Sequence, residues 1–165
     1  AGICGAENVQ ANSDDYFHAK SLNEISNVLS NTNCAALISL NNSAPVANAT
    51  PDYTIPASTP YLLTADASDA NNDPLTYCWE QYDLEGVSSE PPAANDQDGP
   101  LFRSLLPVTS PSRYFPRLSN LVNNTNYTWE VLPSVTRNMV FRMTVRDYHN
   151  SAGCTDEDDV RSCDA

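Results

Sequence analysis

The chain has 165 residues and a formal net charge of −13, with Lys20 its one lysine beside seven arginines. Such a balance excludes nucleic acid as a partner, because phosphates need a basic face, and it excludes an anionic membrane surface for the same reason. No apolar run is long enough to span a bilayer. With no signal peptide visible ahead of the abrupt start at Ala1, the sequence reads as a mature or excised fragment.

Taken in order, Ala1 to Asp15 is a glycine- and turn-rich loop. Ala19, Leu22, Ile25, Val28 and Leu29 then recur at three- and four-residue spacing, one face of a helix. Ser13 or Asp14 is the expected cap, Asp14 and Asp15 suit the positive end of the dipole, and Asn31 to Asn33 end the helix. Residues 1–40 therefore form a loop-helix remnant. Residues 41–52, NNSAPVANATPD, form a polar linker and a domain boundary.

Residues 53–165 read as a different unit. Short strands are expected at Tyr53–Ile55, Tyr61–Ala65, Leu75–Gln81 and Met139–Val145, with a last one near Val160 spanning Asp159–Cys163. That spacing between turn clusters predicts a mainly β, immunoglobulin-like sandwich with Trp79 as its core anchor. In Met139–Val145 every odd position is apolar while Arg142 and Thr144 face the other way, the cleanest period-two signal in the chain. Between the strands lies a proline-rich insertion from Asp83 to Glu130. A segment of that length either packs down, through Leu101, Phe102, Leu105, Leu106, Tyr114 and Phe115, or carries an interaction.

Five cysteines without a C-x-x-C pair argue against a zinc ribbon or a thioredoxin-type site and point to disulfides in an oxidising compartment. Cys4 with Cys34 would staple the first loop to the helix, worth about 3.7 kcal/mol in the chain-entropy picture. Cys154 with Cys163 is the preferred second bridge, through a hairpin at the end of the chain. Cys78 with Cys154 is the competing one.

The strings AGICG and NVQANSDDYFHAKSLNEI followed by Cys34 resemble the segment after the methionine turn in secreted bacterial, reprolysin-like zinc peptidases of the metzincin type. DYTIPASTPYLLTADASD, LTYCWEQYD, LFRSLLPVTSPSRYFP and VLPSVTRNMVFRMTVRD resemble the accessory domain that follows it. The resemblance implies that residues 1–40 are the end of a catalytic domain and residues 53–165 an Ig- or PKD-like accessory domain. The family's zinc signature, H-E-x-x-H-x-x-G-x-x-H, is absent, since His18 and His149 are the only histidines and lie far apart. Zinc and proteolysis are therefore expected only upstream of Ala1, and this fragment is expected not to be an enzyme.

One loop carries metal-ligand chemistry. Asp66, Asp69, Asn71 and Asp73 offer hard oxygens at alternating positions, the donor type calcium prefers, and Asp147 at the end of a strand could approach the same end of the fold. The loop lacks the glycine and the glutamate of an EF-hand. The competing reading is an Asn/Asp turn capped by its own side chains. The run Asp156-Glu157-Asp158-Asp159 is either solvated charge or a cation site. Glu80, Asp83 and Glu85 carry no spacing that would make a glycosidase pair.

The expected function is that of a non-catalytic C-terminal part of a secreted zinc metallopeptidase, its sandwich serving as stabiliser, spacer or substrate-engaging module. Its partners would be the upstream catalytic domain and a protein or carbohydrate substrate. The alternative is a stand-alone, calcium-stabilised adhesion or carbohydrate-binding module of a cell surface, binding through exposed Tyr82, Tyr127 and Trp129.

Overall fold

The computed structural model describes residues 12–33, 38–125, 127–149 and 152–164. Its elements in chain order are α1 (Ala19–Ser30), β1 (Val46–Ala49), β2 (Tyr53–Ile55), β3 (Tyr61–Ser68), β4 (Leu75–Gln81), β5 (Ser112–Phe115), α2 (Leu118–Asn123), β6 (Asn138–Asp147) and β7 (Thr155–Asp164). The chain is mainly β, and its strands form two sheets, one ordered β1-β3-β5 and the other β2-β7-β6-β4. All pairings are antiparallel except β2 with β7. No helix among the described residues is long and apolar enough to cross a membrane.

The two sheets share one core. Leu63, Ala65 and Phe115 come from the first sheet, and Trp79, Met139, Phe141, Met143, Val145 and Val160 from the second. The period-two pattern of β6 is obeyed, with Met139, Phe141, Met143 and Val145 fully buried. Phe115 sits at the centre. Its ring centroid lies 4.7 Å from Phe141, 5.2 Å from Phe102 and 5.2 Å from a nearly parallel Tyr61. Such pairs add to burial through their quadrupoles.

The 83–130 insertion packs down, as one of its two readings expected. Leu101, Phe102 and Phe115 are in the core, whereas Leu106 and Tyr114 stay exposed. The stretch is also more regular than its prolines suggest, since it contains β5 and α2. Polar bonds fasten it where apolar contacts are sparse. Gln81 Oε1 accepts from the Leu101 and Phe102 N–H groups. Arg113, buried and stacked 4.4 Å over Phe115, donates to the Trp79 and Arg103 carbonyls and to Glu130 Oε1 at 2.8 Å. Glu130 Oε2 takes the Arg117 N–H.

Several boundaries differ from those the sequence predicts. The linker 41–52 contains a strand, β1, because its Val-Ala-Asn-Ala run pairs with Ala65–Ser68 of β3. β3 runs on through Ser68, which moves Asp66 from the predicted loop onto a strand. The acidic run keeps its solvated character in part, since Glu157, Asp158 and Asp159 are exposed. It lies in β7, where Asp156 and Asp158 accept the Ala47 and Ala49 N–H groups at 2.8 Å, and Asp159 holds Arg142.

The cysteine pairing also needs correction. β7 begins right after Cys154 and is still extended at Cys163, so the backbone separates the two positions by about 30 Å at roughly 3.3 Å per residue. No hairpin brings them together. Cys154 and Cys78 are both free, which removes their competing bridge as well. Cys4 and Cys34 lie outside the described residues.

Burial separates two apolar side chains of the insertion. Phe115→Ala should cost about 3–5 kcal/mol, read as a lower urea midpoint with little change in slope. Leu106→Ala, at an exposed position, should stay within about 0.5 kcal/mol of the parent.

Candidate metal centre

The turn between β3 and β4 is built by Asp69. Its Oδ1 accepts the Asn71 and Asp73 N–H groups, both at 2.9 Å, while Asn72 takes the left-handed conformation that Asn tolerates. The Asn/Asp turn and the metal-ligand reading are thus both embodied in one residue, because only one of the two Asp69 oxygens is used by the turn.

This turn faces the end of β6. Asp69, Asp73 and Asp147 each offer an oxygen, and the three lie within 4.8 Å of one another. Asp147 is almost fully buried. Its Oδ1 accepts the Cys154 N–H at 2.6 Å and its Oδ2 accepts Asn42 Nδ2 at 2.8 Å. Asp73 Oδ2 is 2.7 Å from His149 Nδ1. Gly153 makes this approach close: a Cβ there would sit 2.7 Å from the Asp147 carbonyl oxygen and 3.2 Å from its carboxylate.

The structure therefore brings together three of the five predicted ligands. The other two go elsewhere. Asp66 is exposed on β3 opposite Asn48, and Asn71 Oδ1 accepts the Ser43 N–H at 2.8 Å. Two participants escaped the sequence reading, Asn42 and His149. Asn42 lies 105 positions from Asp147 in an unremarkable polar stretch, and His149 has no spacing signal toward Asp73. Only the fold relates them.

The donor set fits a hard cation. Asp69 Oδ2 and Asn42 Oδ1 are both shut off from solvent and have no hydrogen-bond partner. Buried polar atoms in native structures nearly always have one, so each orphan asks for a donor or an ion. Two carboxylates 4 Å apart repel by about 1 kcal/mol in water and about 4 kcal/mol at an effective dielectric of 20, and His149 Nδ1 lies 2.7 Å from Asp73. All the oxygens are carboxylate or amide, the set calcium takes.

A second cluster lies on the outer face of the larger sheet. Glu80, buried on β4, accepts from the Ala19 N–H at 2.7 Å, from Ser104 Oγ, and lies 2.6 Å from His18 Nδ1. Burial pushes its carboxyl up, but the bonds from His18, Ser104 and Ala19 outweigh burial and hold it below the usual range. The α1 cap is therefore Glu80, supplied 61 residues away, and neither Ser13 nor Asp14. Asp14 instead faces Arg103 at 3.9 Å. Burial, and then the Glu80 charge, push the neighbouring Cys78 thiol up to about 12, so it is a poor nucleophile as placed.

The aromatic side chains named for carbohydrate binding are half-buried. Arg142 lies 3.9 Å over the Tyr82 ring and Arg117 4.9 Å over the Tyr127 ring, so one face of each is occupied. Comparison with protein-family models, with curated proteins and with solved structures finds no match to the chain.

The close packing at Gly153 is directly testable. Gly153→Ala must displace the Asp147 backbone, which should lower stability by about 1–3 kcal/mol in urea unfolding. Gly86→Ala, far from the acidic cluster, gives a comparison in which the His149–Asp73 contact, followed by the His149 NMR resonances, stays undisturbed.

Proposed function

We propose that this chain is a calcium-stabilised, immunoglobulin-like accessory module of a secreted zinc metallopeptidase, with the loop-helix remnant of the catalytic domain at its N-terminal side. The observation that carries the calcium part is the meeting of Asp69, Asp73 and Asp147 beside two buried oxygens without partners. Asp69, Asp73 and Asp147 would hold the ion, which would neutralise their mutual repulsion and tie the β3–β4 turn to the end of β6. The module's role is then mechanical, as a stabiliser or spacer beside the peptidase domain.

Two features support the peptidase context. The strings quoted from Ala1 to Asp147 carry the resemblance, and α1 is amphipathic yet leaves Ile25, Val28 and Leu29 exposed. A helix with that pattern ordinarily turns its apolar stripe onto a neighbour. The body, by contrast, offers stabilising chemistry: an apolar core between its sheets and a cation centre at one end. An adhesive module of a cell surface is the less economical reading, since two of the aromatic faces it would use are covered by arginines.

Calcium at about 100 times its dissociation constant should stabilise the fold by about 2.7 kcal/mol, which for a chain of this size raises the melting temperature by roughly 5–10 °C over EDTA. Asp69→Asn combined with Asp73→Asn should abolish the difference. A parent protein that melts at the same temperature in calcium and in EDTA would remove the calcium reading. Cleavage of a peptide substrate by the zinc-loaded chain, above a heat-denatured control, would remove the accessory-module reading.

A further inference from the structure

Outside the core and the cation centre, the outer face of the larger sheet shows an arrangement that neither explains. On β4 the even positions Thr76, Cys78 and Glu80 point away from the core, and on β6 so do Arg142, Thr144 and Arg146. This face is polar, as an outer sheet face normally is when water covers it. Yet Cys78, Glu80 and Thr144 are nearly or fully buried. What helps to cover them is the segment just before α1. Arg146 donates to the Phe17 carbonyl at 2.8 Å, Glu80 takes His18 and the Ala19 N–H, and the Tyr16 hydroxyl is buried close enough to Cys78 and Glu80 for their charges to push its titration further up after burial has raised it.

Beyond this contact the N-terminal unit touches little. Ala19 is the one buried residue of α1, and every described residue from Glu24 to Asn41 is exposed. The next anchor is Asn42 on Asp147, directly after the left-handed Asn41.

We propose that residues 12–30 are a dissociable strap, latched to the sheet by Glu80, which opens about a pivot near Asn41 without unfolding the two-sheet body. The physical reason is that the covered face is polar. Opening hands Glu80 and Arg146 to water and, beyond Ala19 and Cys78, exposes none of the clustered apolar core, so the cost is mostly a few hydrogen bonds rather than hydrophobic area. Glu80 is the latch because, among the described residues, it is the side chain that accepts the Ala19 N–H, and removing it leaves that N–H uncapped in a buried place. Groups facing the latch are His18 and Tyr16 from the strap, Ser104 from the insertion and Cys78 from β4 itself. Arg142 lies opposite in register on β6, but its guanidinium is held by Asp159 and Glu157.

Cys78 reports the opening: the Leu105 carbonyl of the insertion holds its Sγ, and the buried Tyr16 hydroxyl of the strap lies near it. Labelling with iodoacetamide at pH 8, resolved by peptide mass mapping, should modify Cys78 in the native protein at a rate nearly independent of urea below the unfolding transition. Glu80→Ala should raise that rate about tenfold or more, and His18→Ala several-fold, while the cooperative unfolding of the body, followed by the fluorescence of Trp79 and Trp129, is retained. If Glu80→Ala loses that cooperative transition, His18→Ala carries the same test. The proposal is overturned if Cys78 labelling in the parent follows urea as steeply as global unfolding does, or if a folded Glu80→Ala or His18→Ala protein labels at the parent's rate.

Discussion

Backbone N–H groups that no ladder satisfies must still find an acceptor, and in this chain the acceptor is repeatedly a carboxylate. Asp69 takes two of them in the β3–β4 turn, Asp96 takes Ser89 and Ala93, and Asp83 takes Val140 at the start of β6. Asp147 takes Cys154, Glu130 takes Arg117, and Glu80 takes Ala19. Along β7, Asp156 and Asp158 reach across to the free edge of β1, and Asp52 takes the Arg161 N–H. A net charge of −13 is thus in part structural: a fold with long irregular connections uses acidic side chains where a more regular one uses carbonyls. Charge-assisted bonds of this kind are the stronger ones.

The same habit explains how the insertion between β4 and β5 belongs to the body. Its apolar share is small, with Leu101 and Phe102 in the core and most of the rest at the surface. It is held by groups that bond along two segments at once. Gln81 grips Leu101 and Phe102, Arg113 bridges β4, the insertion and Glu130, and Arg137 reaches the Asp96 and Gly99 carbonyls. Burying Arg113 has a cost, and desolvation does pull its guanidinium below the ordinary value against the opposing pull of Glu130. Such a pair is weak evidence for stability but strong evidence for specificity of contact, because removing one partner strands the other.

How much of this the sequence revealed depended on the length over which each signal was written. α1 was legible in its apolar stripe and its C-terminal end but not in its start, which lies at Ala19 rather than next to Ser13 or Asp14, and β6 was legible from its alternation, since both carry a period through several repeats. β1 and β5 were not, because four residues hold barely two periods, and Val-Ala-Asn-Ala sits in a stretch that reads as linker. The cysteine pairing failed for a related reason. With β7 taken as a five-residue strand, Cys154 and Cys163 could close a hairpin, and its actual ten residues hold them at opposite ends. At the acidic cluster the local part, Asp69 with Asp73, was written in one loop, and Asp147 was legible as the end of a recognisable strand. Asn42 and His149 were not, because nothing in a sequence relates an amide in one polar stretch to a carboxylate more than a hundred positions away.

The two polar centres divide the work of holding the N-terminal unit. The Asn42 contact fastens the chain where it enters the body, and the Glu80 contact fastens the start of α1, and the described residues between Glu24 and Asn41 are all exposed. Two anchors on one segment are not independent in effect. While Asn42 is held, the strap is tethered near its own seat, so each broken Glu80 contact reforms against a high effective concentration of its partner. A cation drawing Asp69, Asp73 and Asp147 together would compete for the Asp147 oxygen that Asn42 now holds, or would recruit the unpartnered Asn42 oxygen instead. In the first case the ion loosens the tether and in the second it tightens it. The buried, unpartnered state of Asn42 Oδ1 favours the second, because recruitment satisfies an atom that is otherwise stranded, whereas competition would leave the amide nitrogen only its 3.5 Å contact to Cys154 Sγ.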